Sequence, residues 1–307
     1  MGIGTGMYRR MLLSIAGRRT VERLAAKYGG KLASRFIAGD SREEALAVAA
    51  DLNKRGILVT LDHLGEGIRR LEEASSYRDE YVELVRSIAK NGVLGNVSLK
   101  PTQMGLVLDA KACYGNIRSV VLEARKTRGF VRIDMEDSPY TQATIDIVRR
   151  LHAEGLTNVG TVLQAYLYRS EQDAAELTKE NIRLRLVKGA YKEPASIAYQ
   201  RSADVIANLR KIAGSLMSQS AYVAIGSHDD RIINWVRDFA ASNGIAKDAF
   251  EFQMLYGLRM GYQEKLASEG YRVRCYVPYG VMWYPYFTRR LAEKPANLWM
   301  VVKHSWR

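Results

Sequence analysis

"SREEALAVAADLNKRGILVTLD", residues 41–62, joins two unlike patterns across one glycine. Before Gly56 the apolar positions recur at helical spacing, and after it "ILVTLD" (57–62) is a β-branched run of strand length. A glycine at that junction suits the left-handed residue that ends a helix. The same grammar continues along the chain. Strand-length runs recur at "NVSLK" (96–100), "GFVRID" (129–134), "VGTVLQ" (159–164), "RLRLV" (183–187), "AYVAIG" (221–226), "AFEFQM" (249–254) and "RVRCYV" (272–277). Between them, "YRDEYVELVRSIAKNG", "TQATIDIVRRLHAEGL" and "RIINWVRDFAASNGI" carry helical periodicity. Eight alternations over about 250 residues predict an α/β fold of the closed (β/α)8 TIM type. A doubly wound open sheet is the competitor, but no composition break separates two halves. Residues 1–50 read as an N-terminal helical appendage and 51–307 as the catalytic barrel.

The 307 residues, 47% hydrophobic and 26% charged, describe a soluble globular chain able to bury a full core. No apolar run approaches the ~20 residues of a spanning helix. "MLLSIAG" (11–17) lacks a cleavage pattern and runs into Arg18 and Arg19, which argues against a secretory signal. Two distant cysteines, Cys113 and Cys275, form no disulfide framework, and four scattered histidines show no metal spacing. A reducing cytoplasm is the default. The net charge of +13 invites nucleic acid or an anionic membrane. No nucleic-acid recognition motif accompanies it, so no such partner is expected. Part of the excess is local, with Arg9, Arg10, Arg18, Arg19, Arg23, Lys27, Lys31 and Arg35 inside the first 40 residues. That segment suits either an acidic lipid surface or packing on the neighbouring domain.

In such a barrel, function sits where strands end. Those positions hold Asp62, His63, Glu66, Lys100, Asp134, Glu136, Gln164, Lys188, Ser227, His228, Asp229, Gln253, Tyr276 and Tyr279. Taken singly, each has a plain structural reading as a loop cap or ion pair. Their convergence at one end is what points to a site, since charge buried without purpose costs several kcal/mol. Next, "YPYFTRRLAEKPAN" (284–297) sets Arg289 and Arg290 side by side, with Tyr286 and Glu293 on one helical face. A guanidinium doublet suits a carboxylate, and a phenol gives an apolar ligand body a wall. Arg289 and Glu293 also form an ordinary i,i+4 pair. "GIGTG" (2–6) precedes every strand, so no dinucleotide fingerprint exists, and any redox cofactor must be held by the barrel itself. Lys100 and Lys188 leave a Schiff-base aldolase or lyase open, and a basic nucleic-acid module is a third reading.

"SLKPTQMG" (98–105), "RIDMED" (132–137), "RLRLVKGAYKEP" (183–194), "FEFQMLYG" (250–257) and "YFTRRLAEKPAN" (286–297) together resemble proline dehydrogenase, in its single-function bacterial form. The resemblance implies a (β/α)8 barrel that binds FAD without a Rossmann domain and oxidises L-proline to 1-pyrroline-5-carboxylate by hydride transfer. It implies that Arg289, Arg290 and Lys100 clamp the proline carboxylate while Tyr276, Tyr286 and Leu255 enclose the ring. Asp134 would hold Lys100, Glu293 would steady the arginine helix, and Glu66 would gate through Arg289. The flavin contacts implied are Gln164, Arg185, Lys188, Ala190 and His228, with no metal. Lys192 stands where fused relatives carry an aromatic, so no contact is carried over there. "SHDD" (227–230) likewise departs from the more usual Thr-His-Asn. Electrons would pass to quinone, in a cytoplasmic enzyme that visits the inner membrane face peripherally.

Overall fold

The computed structural model describes residues 35–65 and 67–293, without the side chains of 289–293. Eight strands are present: β1 (Leu58–His63), β2 (Gly95–Leu99), β3 (Val131–Ile133), β4 (Val159–Gln164), β5 (Leu184–Val187), β6 (Val223–Gly226), β7 (Glu251–Leu255) and β8 (Arg272–Tyr279). All pair in parallel in chain order, and β8 returns to β1, closing the barrel. Helix α1 (Arg42–Lys54) precedes the first strand. Between strands lie α2 (Leu71–Lys90), α3 (Ala110–Lys126), α4 (Thr141–Ala153), α5 (Ser170–Lys179), α6 (Ser202–Ser218), α7 (Asp230–Ser242) and α8 (Met260–Ser268), and α9 (Trp283–Glu293) follows β8.

The expected (β/α)8 barrel is therefore present, and its punctuation is chemical. Gly56, Gly92, Gly155 and Gly244 all adopt positive φ after α1, α2, α4 and α7, the conformation that glycine reaches without steric cost. Helix α1 opens with a capping box, Ser41 and Glu44 each satisfying the other's backbone N–H. It buries Ala45, Leu46, Ala49 and Leu52 in the main core, which lies between strands and helices. Strand β3 is shorter than the run 129–134 because Gly129 N–H still bonds Ala124 O at 2.7 Å, completing the end of α3.

Residues 35–39 cross the C-terminal ends of the last strands as a strap. Ala38 N–H donates to Pro278 O and Gly280 N–H to Gly39 O, both at 2.9 Å. Of the helical expectation for residues 1–50, residues 1–34 lie outside the described residues, 35–41 are turns and irregular chain because they are spent crossing the barrel end, and helix begins only at Arg42. Among the described residues, no helix is long and apolar enough to cross a membrane.

Candidate active site at the barrel mouth

Parallel strands alternate their side chains, so every second residue enters the barrel. The register pairs Ser98 with Arg132, which sets Lys100 opposite Asp134. Arg185 on β5 reaches Asp134 Oδ1 at 2.8 Å and Ser98 Oγ at 3.4 Å. Tyr276 on β8 donates its hydroxyl to Asp134 Oδ2 at 2.9 Å. Such contacts are possible only through the barrel interior. Ser98 Oγ adds a further donor to Asp134 at 2.6 Å. Lys100 Nζ lies 3.0 Å from Asp62 Oδ1, 3.4 Å from Tyr276 OH and 3.6 Å from Asp134 Oδ2.

Two carboxylates and two cations thus share one nearly dry space. Burial pushes the Asp134 carboxyl upward, but Arg185 and Lys100 outweigh it and hold it below the usual carboxylate range. Burial likewise disfavours the Lys100 ammonium, yet Asp62 and Asp134 win and its pKa is raised. Tyr276 stays a phenol because burial, then the charges of Asp134 and Asp62, raise its pKa well above the ordinary value. Arg185 also lies 5.3 Å from the Tyr276 ring centroid. Its Nε–H is buried and meets no acceptor among the described residues. A buried donor without a partner costs about 1–3 kcal/mol unless a ligand or water completes it.

The remaining expected flavin contacts gather at the ends of β4 to β6. Gln164 donates to Glu136 O at 2.8 Å and accepts Ala190 N–H at 3.2 Å, stapling the loops after β3 and β5. The glycine of "VKGAY" is required there: Gly189 has φ 121°, and a Cβ would lie 2.2 Å from the Tyr166 ring. Lys188 Nζ pairs with Asp229 Oδ2 at 3.1 Å, and Asp229 also caps α7. His228 Nε2 accepts Leu255 N–H at 2.9 Å, which assigns its proton to Nδ1. Leu255 therefore stands between the two groups, its backbone on His228 and its register partner Tyr276.

Tyr286 is buried on α9, the helix that carries Arg289, Arg290 and Glu293. The side chains of those three, and the whole of Glu66, lie outside the described residues.

Sequence reasoning underrated three residues. Asp62 was placed at a strand end without a role, yet it is the nearer partner of Lys100, ahead of Asp134. Ser98 carried a readable signal, standing two residues before Lys100 on the same strand. Tyr81 carried none: it lies on the buried face of α2, and its hydroxyl donates to Ser98 O at 2.8 Å with Asp62 Oδ1 at 3.2 Å.

Against known proteins, the family described as proline dehydrogenase matches residues 45–302. The chain is 42% identical to a proline dehydrogenase of Deinococcus radiodurans over 97% of both chains. It is 41% identical to proline dehydrogenase 2 of Bacillus subtilis, covering 91% of this chain and 92% of that one. The crystal structure of proline utilization A from Bdellovibrio bacteriovorus inactivated by N-propargylglycine superposes with a TM-score of 0.80 at 27% identity. That likeness covers 94% of this chain and 36% of the longer one.

Proposed function

The chain belongs to the proline dehydrogenase family, and from that premise we propose that it oxidises L-proline to 1-pyrroline-5-carboxylate with FAD held at the barrel mouth. This is the first step of proline catabolism. The observation that carries the reading is Asp134 held across the barrel by Arg185, Tyr276, Ser98 and Lys100, beside a guanidinium N–H that meets no acceptor among the described residues.

When bound, the flavin supplies the acceptor for the hydride that leaves proline C5. Arg185, Lys188, Gln164, Ala190 and His228 are the residues that would hold it. Arg185 and Lys188 present positive charge there, and the unmatched Arg185 Nε–H fits an electron-rich ring edge. Arg289 and Arg290 take the substrate carboxylate, a planar, bidentate match. Lys100 meets Asp62 at 3.0 Å, Tyr276 at 3.4 Å and Asp134 at 3.6 Å, so its three N–H groups have neighbours and it acts on the carboxylate through charge. Tyr276, Tyr286 and Leu255 close on the pyrrolidine ring and exclude water. The proline amine must be neutral to release hydride, so turnover rises toward alkaline pH. Electrons pass onward to quinone at the inner membrane face, a contact that the basic first 40 residues suit.

A Schiff-base reading through Lys100 meets a physical objection. Its raised pKa keeps the amine protonated, where a nucleophile must be free. The direct test is an absorption spectrum of the purified protein. A flavin band that bleaches when proline is added without air supports the proposal, and a colourless protein or an unbleached band overturns it. Arg289→Met should mainly raise KM for proline.

A further inference from the structure

We propose that Phe36 and Ile37 act as positioning residues that seat α9 and so set the affinity for proline; this rests on the functional reading above. Phe36 and Ile37 are 1% and 3% exposed, yet they do not belong to the main core. They form a separate apolar cluster with Leu64 and three residues of α9, namely Trp283, Tyr286 and Phe287. The Phe36 and Phe287 rings lie 5.9 Å apart, and Trp283 meets Phe287 edge-on at 5.7 Å. Among the described residues, α9 touches every other helix and strand only slightly, and its seat is the strap together with the loop residues Leu64 and Leu258.

The strap itself is fixed. Backbone hydrogen bonds tie Ala38 and Gly39 to the end of β8. After β7, Gly257 has φ 76°, and a Cβ there would lie 1.7 Å from Arg35 O. Only glycine lets the strap pass, which explains the last residue of "FEFQMLYG". Position is thus transmitted from the barrel ends to the strap, and from the strap to the apolar face of α9. Arg289 and Arg290 follow Phe287 by two and three residues on that helix. A shift of about 1 Å in a substrate-holding group costs on the order of 10²-fold, so a loosened seat should weaken proline binding first.

The test compares Phe36→Ala, Phe36→Leu and Ile37→Ala with the wild type, all as full chains. We expect Phe36→Ala to raise KM for proline about tenfold while kcat changes less than about threefold. Flavin content should hold, and amide hydrogen exchange in residues 283–293 should accelerate. Phe36→Leu should recover most of the affinity. Should Phe36→Ala fail to fold, Ile37→Ala carries the same expectation with a rise of about threefold. An unchanged KM with unchanged exchange in 283–293 overturns the proposal, as does a parallel loss of kcat, flavin and KM that marks general loosening. If proline does not reduce the wild-type flavin, the functional reading fails, while the exchange measurement still judges the seat.

Discussion

Two charged clusters lie inside one barrel, and they are built differently. At the floor, Glu251 is 2% exposed and saturated. Arg274 reaches both of its oxygens at 2.9 and 3.1 Å, Tyr222 donates at 2.8 Å, and Gln253 completes the set. Arg274 spends a remaining N–H on Val59 O at 2.9 Å. Nearby, Arg132 donates to Thr161 O and Arg183 O, packed so tightly that a Cβ on Gly160 would sit 2.9 Å from its Nη1. At the mouth, by contrast, charges alternate over three strands, and the cluster opens toward the loops that follow them. The floor carboxylate is saturated by protein donors, while the mouth cluster lies where the βα loops begin. Buried side-chain atoms without a partner among the described residues occur in both, Arg132 Nε and Gln253 Oε1 at the floor and Arg185 Nε at the mouth. Both are buried ion networks, so burial and pairing alone do not separate structure from function.

That contrast can be broken experimentally. Glu251→Ala leaves Arg274 buried without its counter-charge, and loss of one partner in such a pair costs about 3–5 kcal/mol. We expect a steep fall in thermal stability with near-wild-type KM in the folded fraction, and a variant that keeps its Tm would dissolve the contrast. Acid titration offers a second, related probe. Burial alone would raise the Glu251 carboxyl, but Arg274 overcomes it and holds the pKa at about 2, against an ordinary 4.5. A depressed folded pKa contributes stability above the unfolded value and loses it as pH falls. Of order 3 kcal/mol should therefore disappear between about pH 4.5 and 2. In Glu251→Gln this part of the acid limb should be missing from Tm against pH.

Smaller effects belong to the mouth's supporting groups. Asp62→Asn removes the nearer carboxylate from Lys100 and should lower kcat/KM about tenfold, with flavin content retained. An unaltered kcat/KM would return that role to Asp134 alone. Ser98→Ala removes one hydrogen bond to Asp134, worth about 1 kcal/mol, so kcat/KM should fall roughly fivefold.

Much of the frame was legible because its signals are local. β-branched runs marked eight strands, and glycines after four helices supplied the left-handed stops now seen at Gly56, Gly92, Gly155 and Gly244. The strand-end rule gathers Lys100, Asp134, Gln164 and Tyr276 from the sequence alone. What escaped depends on the stagger of the closed sheet. Whether Lys100 meets Asp62 or Asp134 first is set by barrel geometry that no linear spacing contains. Arg132 and Arg274 stand mid-strand and Glu251 opens β7, where the alternation was readable but the polar interior was not anticipated. Phe36 and Ile37 are two apolar residues without periodicity, and only the fold brings them under α9.

The central claim is that the mouth cluster performs the chemistry while the floor holds the barrel. Rapid-mixing measurement of flavin bleaching by saturating proline, in Asp134→Asn beside Glu251→Gln, tests it most directly. The account predicts that Asp134→Asn slows bleaching by about 10²–10³-fold while Glu251→Gln keeps the rate, although Tm falls in both because each leaves a buried arginine without its counter-charge. Equal slowing in both, or a fast Asp134→Asn, would contradict it.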